Sequence, residues 1–161
     1  MNRRYDTARF AESVHLLRAY FDRPAITTDL ITGFPGETEE EFAQTLDFIR
    51  ACDFARMHIF PYSRRPGTPA AKMSGQVPNA VKEERAHRAA EIARDMEYAY
   101  LDSFVGQTLP VLFEEERDGL WLGHTTRYCQ VGVSSSESLH NQLRLVRLTG
   151  REGSQLTGEL G

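Results

Sequence analysis

Residues 27–38, Thr-Thr-Asp-Leu-Ile-Thr-Gly-Phe-Pro-Gly-Glu-Thr, limit the possible folds more than any other stretch of the chain. The β-branched run from Ala25 to Thr32 predicts a strand apolar enough to be buried. Gly33, Pro35 and Gly36 end it. Thr38, with Glu41 three residues on, predicts a capping box that opens a helix. Phe42, Leu46 and Ile49 follow at helical spacing, Asp53 and Phe54 close the helix, and Arg56 to Tyr62 reads as a second strand. Strand–helix–strand is the unit of a parallel sheet with a right-handed crossover. Such sheets place ligands at the carboxyl ends of their strands. The turn 33–38 and the run Phe60-Pro61-Tyr62-Ser63-Arg64-Arg65 are therefore the candidate ligand loops.

An α/β region plus an all-β region follows from the rest of the pattern. A first helix is expected from about Thr7 to Phe21, with Phe10, Val14, Leu17 and Phe21 on one face and Pro24 beyond its end. Pro66, Gly67, Pro69, Gly75 and Pro78 mark residues 63–79 as loop. A long helix spans about Ala80 to Phe104, with Ala89, Ile92, Ala93, Met96 and Tyr100 as its apolar stripe. Five short strands come next, near Leu109–Glu114, Leu120–His124, Tyr128–Val133, Leu143–Leu148 and Leu156–Leu160. Asp118-Gly119, the serine run Ser134–Ser136 and Thr149-Gly150 separate them as turn signals. Short strands at this spacing predict a small OB-like barrel, with Pro110 at a strand edge. The expected organisation is 1–79, a connecting helix 80–103, and a barrel 104–161.

Composition sets bounds on function. A net charge of −4 gives no global field for nucleic acid, so an RNA-binding face has to be a local segregation of charge. Cys52 and Cys129 lie far apart, which implies neither a metal-ligand spacing nor a disulfide framework. A reducing, cytoplasmic setting is the default. No apolar run approaches the roughly 18 residues of a membrane span, and the N-terminal residues lack the apolar core of a signal peptide.

Several blocks in order carry a resemblance. They are Met-Asn-Arg-Arg-Tyr at 1–5, the segment 27–38, and Met57-His58-Ile59-Phe60-Pro61-Tyr62-Ser63-Arg64-Arg65-Pro66-Gly67-Thr68-Pro69 with Ala70-Ala71-Lys72-Met73. Gln76-Val77-Pro78 and Val81-Lys82-Glu83-Glu84-Arg85 follow. The chain resembles the radical S-adenosylmethionine tRNA methylthiotransferases, most nearly the type that acts on threonylcarbamoyladenosine beside the anticodon. Val111-Leu112-Phe113-Glu114 and Gly123-His124-Thr125-Thr126-Arg127-Tyr128 look like that family's TRAM domain. The resemblance implies the last β/α units of a radical-SAM partial TIM barrel, a connecting helix and a tRNA-binding barrel. It implies methylthiolation at C2 of N6-threonylcarbamoyladenosine at tRNA position 37. It also implies S-adenosylmethionine and two 4Fe-4S clusters in the full-length enzyme. Clusters need several thiolates, and this chain has two distant cysteines. It is thus expected to contribute part of the S-adenosylmethionine site and the tRNA-binding barrel, to work with the cluster-bearing domains of the same enzyme, and to be inactive alone. A stand-alone RNA-binding module and part of a ribosomal-protein methylthiotransferase are the alternatives.

The resemblance assigns Ile31, Gly33 and Glu37 to S-adenosylmethionine and sets Phe60 and Tyr62 against its adenine. The residues themselves agree in part. Gly33 and Gly36 permit a close backbone approach, and an aromatic pair can stack on a base. Four glutamates at 37 and 39–41 repel phosphate and favour a cationic ligand, and the missing Gly-Lys-Ser/Thr excludes a P-loop. A plain strand–turn–helix corner explains the same residues, with Phe60 as core. Arg3, Arg4, Arg64 and Arg65 are candidate contacts for substrate carboxylate or RNA phosphate, against solvated surface arginine. Arg127 and Tyr128, at a strand start, combine charge with a stacking ring. His124, Arg144 and Arg147 extend that patch. His58 and both cysteines read as packed. No residue is expected to be catalytic or to hold a metal. An absent upstream neighbour would leave the edge of strand 25–32 open, so residues 1–75 are expected to be less stable than 104–161.

Overall fold

The computed structural model describes residues 4–161, so the candidate Arg3 lies outside the described residues. The chain divides into two compact units, the first ending at Met96 and the second running Glu97–Gly161.

The first unit begins with α1 (Thr7–Tyr20), whose N-cap Asp6 carboxylate accepts from the Arg9 N–H at 2.9 Å. Strand β1 (Thr27–Thr32), helix α2 (Glu39–Cys52) and strand β2 (Arg56–Pro61) follow. The two strands are parallel and in register from Thr27↔Arg56 to Thr32↔Pro61. Thr38 and Glu41 form the reciprocal capping box, which satisfies two backbone donors of the helix start. Asp53, left-handed at φ 50°, ends α2. A 3-10 turn (Ala70–Lys72) precedes α3 (Asn79–Asp102). Val14, Phe42, Leu46, Ile49, Cys52, Phe54, Ala89 and Met96 make the core. Burial of each large apolar member contributes about 1.5–3 kcal/mol.

Three expectations fail here for one reason, the lack of cover on part of this unit. On α1 only Val14 is fully buried, while Leu17 and Phe21 of the expected stripe are 42% and 59% exposed. Thr28, Leu30, Met57 and Ile59 face the helices, whereas Asp29, Ile31, Arg56, His58 and Phe60 are exposed on the other face. Phe60 is therefore surface rather than core, at 52% exposure. His58 is not packed inside but stacks on the Phe60 ring, centroids 6.4 Å apart. Among the described residues, β1 pairs with β2 alone.

In the second unit β3 (Thr108–Arg117), β4 (Leu120–Thr125), β5 (Gln130–Val133), β6 (Leu143–Glu152) and β7 (Gln155–Leu160) close a barrel in the order β3-β4-β5-β7-β6. The β5–β7 pair is parallel, and the other pairs are antiparallel. Val111, Phe113, Val131, Val133, Leu139, Val146, Leu148 and Leu156 fill the interior. At Gly123 a Cβ would lie 2.3 Å from the Leu112 carbonyl oxygen, so the β3–β4 approach requires glycine. Thr149-Gly150 is no turn. β6 runs through it with a register shift, and the chain reverses at Gly153-Ser154 instead. Bulge and turn draw on the same residue types, which is why the sequence misplaces it.

Candidate functional site

The end of the parallel sheet is built around a buried cation. Arg85, 4% exposed, reaches from α3 to the turn before α2. Its Nη1 donates to the Glu37 carboxylate at 2.7 Å and to the Glu37 carbonyl at 3.1 Å, and its Nη2 donates to Glu39 at 3.2 Å. The guanidinium also lies 5.3 Å from the centroid of the Phe42 ring. The same Glu37 oxygen accepts from the Gly33 N–H at 2.9 Å, so one carboxylate ties turn, helix start and α3 together. Gly33 has φ +68°, and a Cβ there would lie 2.1 Å from Lys82 Cγ. Conformation and space both demand glycine at that point.

This arrangement weakens the electrostatic reason for a cationic ligand. Glu37 is engaged by Arg85, Glu39 by Arg85 and Arg88, and Glu41 by the cap. The Arg88 hydrogen bond, the largest cause, holds the Glu39 carboxyl below the usual range. Of the cofactor candidates, Ile31 and Phe60 are cross-strand partners, both exposed on the open face of the sheet. Gly33 and Glu37 belong to the turn. Tyr62 continues the β2 line, its N–H donating to the Thr32 carbonyl at 2.8 Å. Its ring meets Phe34 edge-on at 5.3 Å. Its hydroxyl is buried with no hydrogen-bond partner among the described residues.

A pocket of about 440 Å³ lies beside β2, lined by Pro61, Tyr62, Ser63, Arg64, Asn79, Lys82 and Glu83. Sequence reading assigned no role to Lys82 or Arg85. Their only local signal is a Lys-x-x-Arg spacing that puts both on one face of a helix. Arg64 lines the pocket, Nε donating to the Ala71 carbonyl at 2.8 Å. Arg65 and Arg4 are exposed and stand apart from the pocket lining.

In the barrel, Tyr128 lies in the β4–β5 loop rather than at a strand start. Its φ is +58° and it is 87% exposed. Buried Thr125 organises this loop, its hydroxyl accepting from the Arg127 N–H at 3.1 Å and the Cys129 N–H at 3.2 Å. The Arg127 carbonyl accepts from the Tyr100 hydroxyl at 3.4 Å. His124 is exposed with Nδ1 2.7 Å from Glu114. Arg144 donates to Gln142 at 3.2 Å, and Arg147 is exposed on β6, cross-strand from Thr108 and Glu159. The structure thus brings His124, Arg127 and Tyr128 to one end of β4, while Arg144 and Arg147 are on β6.

Cys52 and Cys129 are both buried, and burial is the largest cause raising each thiol above its usual value. Among the described residues no three His, Cys, Asp or Glu side chains group as metal ligands. No helix of the described residues is long and apolar enough to cross a membrane.

No family model matches the chain. Among curated proteins it is 36% identical over 153 residues to the threonylcarbamoyladenosine tRNA methylthiotransferase MtaB of Bacillus subtilis (strain 168), covering 92% of this chain and 34% of that protein. It is 40% identical over 162 residues to the tRNA-2-methylthio-N(6)-dimethylallyladenosine synthase of Maricaulis maris (strain MCS10), covering 99% and 36%. To the synthase of the same name from Mycolicibacterium paratuberculosis it is 48% identical over 112 residues, covering 70% and 22%. The chain spans about a third or less of the length of these relatives.

Proposed function

We propose, from the premise that the chain belongs to the radical S-adenosylmethionine tRNA methylthiotransferase family, that it grips tRNA through its barrel and supplies one wall of the S-adenosylmethionine site. The observation that carries this reading is Tyr128. Nothing in the barrel's packing uses the ring, which stands 87% exposed. Its left-handed backbone costs about 1 kcal/mol for a residue with a Cβ, and the two hydrogen bonds to the Thr125 hydroxyl on either side hold it there. A free aromatic face beside Arg127 suits a stacked base and its phosphate. Five-stranded barrels of the OB kind bind oligonucleotides on the face of their second and third strands. Here those strands are β4 and β5, which the Arg127–Tyr128 loop joins. This supports the TRAM reading of 104–161; the parallel strand–helix–strand unit of β1, α2 and β2 is the observation behind the partial-barrel reading of 1–79, with helix 80–103 as the connector.

For the cofactor, Ile31 and Phe60 offer an exposed apolar surface for a purine, and the partnerless Tyr62 hydroxyl fits a polar group of the ligand. Gly33 and Glu37 fix the turn that borders this surface. S-adenosylmethionine supplies the radical chemistry, and this chain binds and orients it. The residues present do not fit an iron–sulfur cluster, because both thiols are buried and unaccompanied. On this reading the cluster ligands belong to other parts of the enzyme, and the chain alone is expected to be inactive.

The finer substrate, N6-threonylcarbamoyladenosine at position 37, rests on the sequence blocks at 1–5 and 57–73. The names of the relatives divide between that base and dimethylallyladenosine, so tRNA bearing an N6-modified adenosine is the reading common to both. Ultraviolet cross-linking of the chain to tRNA, with the linked peptide identified by mass spectrometry, tests it. Linkage at the peptide holding Tyr128 is expected. Linkage confined to residues 1–79, or none, overturns it.

A further inference from the structure

Lys82 is a buried cation without a counter-charge. It is 9% exposed, and among the described residues its ammonium makes one hydrogen bond, to the Tyr62 carbonyl at 2.9 Å, and lies 5.7 Å from the centroid of the Tyr62 ring. No carboxylate among the described residues forms an ion pair with it, in contrast to Arg85 one turn further along α3. An ammonium carries three donors, and two of these meet no protein acceptor among the described residues. Lys82 also lines the 440 Å³ pocket, where Arg64 is the second cation and Ser63 and Asn79 supply further polar groups. The Nε of Arg64 is held by the Ala71 carbonyl, which leaves the fork end of the guanidinium for another partner.

We propose that this pocket is an anion site for a phosphodiester. Glu83 at the rim offsets one of the two cations, leaving a single net positive charge, which matches a diester monoanion better than dianionic inorganic phosphate. Donors from the loop after β2 (Ser63, Arg64) and from α3 (Asn79, Lys82) line the site from two sides, so that more than one oxygen of a tetrahedral group can be met. A polymer backbone can reach it because the pocket opens on the surface. The site does not depend on the tRNA reading of the barrel and adds a second contact to it.

Nuclear magnetic resonance titration of the whole chain with dimethyl phosphate, a dinucleotide and inorganic phosphate tests the site. Dimethyl phosphate and the dinucleotide are expected to shift the amides of Ser63, Arg64 and Asn79 saturably, inorganic phosphate more weakly at pH 8. Lys82→Met and Arg64→Gln are each expected to weaken binding at least tenfold. A shift greater with the dinucleotide than with dimethyl phosphate identifies RNA as the source. Equal responses in wild type and Arg64→Gln, or shifts no larger at these amides than elsewhere, overturn the proposal. If Lys82→Met does not fold, Arg64→Gln decides alone. Loss of tRNA binding by Tyr128→Ala with the diester shifts intact separates this site from the barrel.

Discussion

Replacing Arg85 with methionine removes the cation that answers the largely covered Glu37 carboxylate. The two side chains are 5% and 15% exposed, so the survivor cannot turn to water. Breaking such a pair from one side costs about 3–5 kcal/mol. Glu37→Gln keeps an oxygen for the Gly33 N–H and loses only charge, at about 1.5–3 kcal/mol. In Glu37→Gln/Arg85→Met no stranded charge remains, so the double variant is expected to lose about 2 kcal/mol less than the two single losses together. Arg9→Ala is the control, because the Arg9–Glu12 pair is 67% and 66% exposed and is worth about 0.5 kcal/mol or less. Urea unfolding followed by far-ultraviolet circular dichroism measures all four variants. A loss below about 1 kcal/mol for Arg85→Met, or strict additivity, refutes the view that this pair organises the ligand turn.

Gly33→Ala meets a left-handed φ and the Lys82 side chain together. It is expected to cost more than about 1 kcal/mol by thermal melting and to weaken diester binding as well. Glu39 and Asp102 are held below the usual carboxylate range first by hydrogen bonds from Arg88 and Arg151. The unfolded chain binds more protons at these groups, so their contribution is present above about pH 4–5 and is lost as pH falls through the lower folded values. Acid titration of stability should therefore be shallower in Arg88→Gln, and 1 M salt should shrink the difference. Cys52 and Cys129 are expected to resist a thiol reagent at pH 8 until urea unfolds the chain, and rapid native labelling would contradict their burial. Hydrogen exchange should find residues 4–75 less protected than 104–161.

Local signals were legible in the sequence. The Thr38–Glu41 cap lies within one helical turn, and Phe42, Leu46 and Ile49 lie on one helix face. What depends on distant partners was not. Arg85 meets Glu39 across 46 residues, and the Thr32 hydroxyl meets the Lys82 carbonyl across 50. No periodicity encodes either meeting. Phe60 and His58 were misplaced because alternation along a strand distinguishes its two faces but does not say which of them is covered. Tyr128 reads as the start of the strand Tyr128–Val133, but the strand begins at Gln130. The hydroxyl of Thr125 instead draws the next residues into a tight loop.

Fluorescence anisotropy of labelled tRNA with this chain across a range of salt concentrations tests the central claim most directly. Binding whose logarithm falls linearly with the logarithm of salt is expected. Tyr128→Ala should weaken it by roughly 1–3 kcal/mol, the worth of one stacked base, without changing the salt slope. Failure to bind tRNA, or equal binding by Tyr128→Ala, would contradict the account.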